Sequence, residues 1–129
     1  MLFRNELIEK KKLYFMDVSF ESGVSVPALG FGATSGDVNG DGWLDLFVTN
    51  FSGESNTIYI NSRQGFFSDE TFLAGLGQPS LKYLGFGTKL LDLDYDGWLD
   101  LFVINGHVID NIIYFNKDYS HSERKQVFL

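Results

Sequence analysis

Asp37, Asn39, Asp41 and Asp45 stand at positions one, three, five and nine of a short loop. Asp92, Asp94, Asp96 and Asp100 repeat that spacing 55 residues later. Alternate side chains of a tight loop turn towards one centre. The ninth position of a calcium loop supplies a further oxygen, and a glycine at the sixth makes the sharp turn, here Gly42 and Gly97. Between them, Trp43 and Trp98 offer backbone carbonyls. The result is a flexible, all-oxygen donor set with neither His nor Cys. It suits Ca²⁺, whereas Zn²⁺ prefers nitrogen or sulfur. The expectation is two Ca²⁺ ions per chain, one in each loop. A plain Asp-Gly hairpin turn explains the pattern less well. A turn needs one Asp or Asn, and four clustered oxygens without a cation repel one another.

An EF-hand begins in the same way but ends in a bidentate Glu at position twelve. Val48 and Val103 stand there instead. The flanks are also wrong for helices. Leu44–Val48 and Leu99–Ile104 are short, apolar and rich in Val, Ile and Phe, with Asn and Gly nearby. These are strand signals. Each loop therefore joins two strands.

The repeat runs wider than the loop. Residues 30–50 and 85–105 are identical at 13 of 21 positions. Asn56–Asn61 recurs as Asn111–Asn116, and Leu2–Asn5 matches the end of the same element. Asp69–Leu76 matches Asp17–Val24 at an offset of 52, which leaves extra residues around Lys10–Lys12 as a surface loop. One unit reads as four strands, near Gly32–Gly36, Asp45–Asn50, Asn56–Asn61 and Phe66–Phe72. The Glu6–Tyr14 stretch is too short and too charged for a helix. Repeated four-stranded units whose strands are apolar on both faces are propeller blades. The predicted fold is all-β, about two and a half blades. Residues 1–24 are the outer half of one blade, 25–79 a complete blade, and 80–129 most of a third. The missing cover would come from the remaining blades of a larger propeller or from self-association.

Composition narrows the function. The chain has 129 residues, 44% of them hydrophobic, with 13 Phe, so it can build a core. Seven of its 17 acidic residues lie in the two loops, and two divalent cations would bring the net charge from −7 to −3. The sole basic run, Lys10–Lys12, is too small to neutralise phosphates, which argues against nucleic acid. No segment approaches the ~20 apolar residues of a membrane helix, so no membrane insertion is expected. The start, Met1–Glu6, lacks the apolar core of a signal peptide.

Phe31-Gly32-Ala33 followed by Gly36–Gly42, and Phe86-Gly87-Thr88 followed by Asp92–Gly97, resemble the FG-GAP repeats of integrin α-subunit propellers. With Leu2–Asn5, Asp17-Val18-Ser19 and Gly23-Val24, the chain looks most like the bacterial FG-GAP/VCBS, cartilage-acidic-protein-like group. The resemblance implies a seven- or eight-bladed propeller, exported to the cell surface, periplasm or extracellular space. It implies recognition or adhesion, with a protein or glycan ligand. It also implies that the ligand sets are Asp37, Asn39, Asp41, Trp43 and Asp45, and Asp92, Asp94, Asp96, Trp98 and Asp100.

An enzymatic role is not expected. The clustered carboxylates are accounted for as metal ligands, and no serine elbow, Cys–His pair or phosphate loop occurs. His107 and His121 read as loop residues on the surface. The alternative is the propeller portion of a secreted carbohydrate-active hydrolase or lyase. A calcium sensor ranks below both, because short loops between strands are poor switches.

Overall fold

Nine strands fall into three antiparallel sheets in the computed structural model, which describes residues 1–129. The first sheet pairs β1 (Phe3–Asn5) with β2 (Phe15–Asp17). The central sheet runs in the order β3 (Gly30–Gly36), β4 (Asp45–Asn50), β5 (Thr57–Asn61) and β6 (Phe67–Asp69). The third contains β7 (Gly85–Leu91), β8 (Asp100–Asn105) and β9 (Gln126–Phe128). The chain is thus all-β, a set of propeller-type blades, as its repeat predicts.

Strand β4 shows why these segments are apolar throughout. Phe47 faces the third sheet and Leu46 and Val48 face the other way, because side chains alternate along a strand. The core lies between the central and third sheets. Phe47 and Ile58 meet Leu90, Leu101 and Val103 there, with Leu76 closing one side. Inner strands β3 and β7 pack directly on each other. Both are bulged after their first residue, at Gly30/Gly32 and Gly85/Gly87. The sheets cover one another on one face only, so no more than 26 of 129 residues are buried.

Three details depart from the sequence reading. Asn111–Asn116 does not form the third strand of its blade. Its bonds close locally, with Phe115 and Asn116 N–H both donating to the Ile112 carbonyl, and Ile112–Tyr114 is a 3₁₀ turn. The third strand is β9, paired with β8 as β5 is with β4. Asn105 explains the choice. Its Nδ2 donates to the Arg124 carbonyl and Gln126 Oε1, as Asn50 Nδ2 donates to the Ser55 carbonyl and Thr57 Oγ1. The expected Phe66–Phe72 strand shrinks to the three residues of β6. Finally, two single-turn helices occur, α1 (Leu7–Lys10) and α2 (Gly77–Ser80). Buried Glu6 supports α1 through Arg4 at 2.7 Å and Lys10 at 3.7 Å, an ion-pair cluster that propensity alone does not reveal. No helix is long and apolar enough to cross a membrane.

Candidate metal centres

Both acidic loops leave an inner strand and return to the next, β3 to β4 and β7 to β8. Their internal bonding is the same. Asp37 Oδ1 accepts the Asp41 N–H and its Oδ2 the Gly42 N–H, and Asp92 does the same for Asp96 and Gly97. Asn39 and Asp94 each take the fifth-position N–H as well, at 3.0 and 3.2 Å. Asp41 and Asp96 accept from the Trp43 and Trp98 N–H groups. Gly42 and Gly97 have φ of 86° and 94°, a left-handed turn that a Cβ would strain.

In the second loop one carboxylate oxygen each of Asp92, Asp94 and Asp100 lies within 4.8 Å of the others. Oxygens around one Ca²⁺ stand ~2.3–2.6 Å from it, so opposite ligands are about 5 Å apart. The spacing fits such an ion. Asp96 is not in this group; its carboxylate binds the loop backbone. In the first loop Asn39 takes the place of Asp94. Asp41 there meets Arg63, with Nε 3.5 Å from Oδ2. The sequence reading missed Arg63, which lies in the turn after β5, beyond the repeat's acidic signature.

Asp45 and Asp100 are the buried members, 0% and 4% exposed. Asp45 Oδ2 accepts the Val38 N–H and Oδ1 the Asn61 N–H, so one carboxylate ties the loop to two strands. Asp100 Oδ2 accepts the Leu93 N–H. Trp98 has a second use: its ring lies over Gly40, where an added Cβ would come within 2.9 Å of it. The two loops are therefore neighbours on one side of the molecule.

The far end of the inner strands carries an aromatic cluster. His107 is buried, not on the surface as its loop position suggests. It sits edge-on to Phe51 and stacks on Tyr119. Its Nδ1 accepts the Ile109 N–H, so in the neutral ring Nε2 holds the proton and points it at Ser52 Oγ, 3.4 Å away. That tautomer offers no base to the serine. His121 is exposed beside Asp110. Asn50, the first residue of an Asn-Phe-Ser sequon, is 2% exposed with its amide hydrogen-bonded, which leaves no folded acceptor for a glycan.

Glu123 projects into the same end. Its Oε2 accepts the Leu84 N–H, and its Oε1 is buried without a partner. Burial raises its carboxyl above the usual glutamate range, against smaller opposing effects of the Leu84 bond, His107 and Lys82. A raised native value means that the protonated form is favoured by folding. Its stabilisation is present below the unfolded-state value and fades as pH rises through the native one. Glu123→Gln keeps an acceptor for Leu84 and removes the charge. Melting curves are expected to show the variant gaining on the parent as pH rises from acid to neutral. A variant that loses ground over that range would contradict the assignment.

The family model of the FG-GAP-like repeat matches residues 37–103, from the first acidic loop to the end of the second and into β8. No curated protein matches the chain significantly. With more than half of its length covered, including both loops and the complete β4–β6 segment between them, the chain belongs to the family of FG-GAP-like repeats.

Proposed function

We propose that the chain is a calcium-stabilised β-propeller repeat module that serves recognition or adhesion outside the cytoplasm, with a protein or glycan as its ligand. The observation that carries this reading is the convergence of Asp92, Asp94 and Asp100 oxygens in a loop whose backbone bonding recurs at Asp37–Asp45. Asp92, Asp94, Asp96 and Asp100, with the Trp98 carbonyl, would hold the second ion. Asp37, Asn39, Asp41 and Asp45, with the Trp43 carbonyl, would hold the first. Bound calcium would neutralise charge and fix the turn between two strands. Within the family, the VCBS-type, cartilage-acidic-protein-like group is the subgroup that the residues before each loop favour.

Titration calorimetry in metal-free buffer tests this. Two calcium sites per chain are expected, and no calcium heat at millimolar concentration would refute the reading. A ligand that binds only the native state adds about 2.7 kcal/mol at a hundred times its dissociation constant, so the melt should move upward with calcium. The second loop should bind more tightly. It has four carboxylates where the first has three, and Arg63 places a positive charge beside Asp41. Ligand charge sets affinity in such loops. Arg63→Ala should therefore tighten the weaker site, and an unchanged isotherm would show that the arginine has no influence there.

A further inference from the structure

A glycine after Asn or Asp lets a backbone nitrogen attack the preceding side chain, because no Cβ shields that nitrogen. The chain has four such pairs: Asn39-Gly40, Asp41-Gly42, Asp96-Gly97 and Asn105-Gly106. In three of them the glycine nitrogen is engaged. Gly42 N–H donates to Asp37 Oδ2 at 2.7 Å, and Gly97 N–H to Asp92 Oδ2 at 3.1 Å. Gly106 N–H donates to the Leu84 carbonyl at 3.0 Å. Gly40 N–H donates to nothing in the chain.

The two asparagines differ in the same sense. Asn105 is 8% exposed, and its Nδ2 donates to the Arg124 carbonyl and to Gln126 Oε1. Asn39 is exposed, and no acceptor in the chain holds its Nδ2. Its Oδ1 accepts the Asp41 N–H at 3.0 Å. That bond draws electron density from the amide carbon Cγ and folds the side chain back over its own backbone. The fold also keeps residue 40 a glycine. Its φ is 71°, and an added Cβ would come within 2.9 Å of the Trp98 ring. In the second loop the equivalent pair is Asp94-Tyr95, which has neither the amide nor the bare nitrogen.

We propose that Asn39 is a site of spontaneous deamidation, the one Asn-Gly pair that the fold leaves open to it. Gly40 N gives up its proton and bonds to Asn39 Cγ. The Cγ–Nδ2 bond breaks, and Nδ2 departs as ammonia with that proton. The five-membered imide then takes up one water. Opening at Cγ leaves an aspartate at position 39 on the normal backbone. Opening at the Asn39 backbone carbonyl gives isoaspartate, with an extra methylene in the main chain. The first product gives this loop the acidic pattern that Asp92, Asp94 and Asp96 already form. The second lengthens the chain between Asp37 and Asp41 and disrupts the bonds of Asp37 to the Asp41 and Gly42 N–H groups. One consequence rests on the proposed calcium site. A cation that holds Asn39 Oδ1 keeps Cγ from reaching Gly40 N, so the empty loop is modified and the filled loop is protected.

Incubating the folded chain in chelator, at body temperature and mildly alkaline pH, and then mapping its peptides tests the site. Asn39 should convert at least ~tenfold faster than Asn105, whose reaction waits on local opening. In urea the two rates should come together, because the shared Asn-Gly sequence then acts alone. Equal rates in the folded chain, or neither aspartate nor isoaspartate at position 39, overturn the proposal. Calcium at ten times its dissociation constant should slow Asn39 about tenfold, since only the empty loop reacts. Asn39→Asp, the product of normal opening, should tighten the first calcium site about tenfold, because ligand charge sets affinity. The arms keep the two readings apart. Selective conversion of Asn39 in a chain that gives no calcium heat refutes only the calcium sites. Calcium heat on a chain whose Asn39 stays intact in chelator refutes only the modification site.

Discussion

Asp45→Ala is expected to lower the unfolding free energy by about 3–5 kcal/mol, even in chelator. The carboxylate is 0% exposed and accepts two backbone N–H groups, from Val38 at 3.0 Å and Asn61 at 2.8 Å. A hydrogen bond to a charged group contributes about 1.5–3 kcal/mol, and removing the acceptor leaves two part-buried donors without their partner. Domains of this size are stable by about 5–15 kcal/mol, so the loss approaches global unfolding. Asp45→Asn keeps one acceptor oxygen and should lose about half as much. Urea denaturation in chelator measures both, apart from any metal contribution. If Asp45→Ala costs under 1 kcal/mol there, the carboxylate serves the metal alone and the backbone stitching is unimportant.

Gly32→Ala should be comparably damaging, for a steric reason. A Cβ at Gly32 would lie 2.1 Å from the Phe86 carbonyl oxygen and 3.0 Å from Thr49 Oγ1. The nearer atom is backbone in the adjacent inner strand, so it cannot rotate aside. Strand β3 must withdraw from β7, which opens the core between Phe47 and Val103. Overpacking costs about 1–3 kcal/mol where neighbours relax. Here the expected loss is at the top of that range or above, about 3 kcal/mol, despite the small gain of replacing a strand glycine. Thermal or urea unfolding checks it. A variant as stable as the parent would mean that the sheets slide apart without penalty.

The two acidic loops, the strands that flank them and the blade-like unit were legible because they are local. Alternating oxygens, a glycine at a left-handed turn and an apolar run each act within about ten residues, and a 55-residue offset printed them twice. The all-β class followed from the same short runs. What was not legible depends on residues distant in sequence. Asn111–Asn116 copies the third strand in composition, yet β9 takes the place, because Asn105 is anchored at Arg124 and Gln126. His107 reads as a loop residue and is buried only because Phe51 and Tyr119 close around it. Arg63 reaches Asp41 across a turn that no loop motif contains. Asp45 and Asp100 look like equal ligands in the sequence, whereas the Asn61 N–H reaches only Asp45. Local spacing determined which atoms can converge on a cation. The meeting of sheets decided which of those atoms are buried, supported or left open, because burial and long-range hydrogen bonds exist only once separate strands have packed.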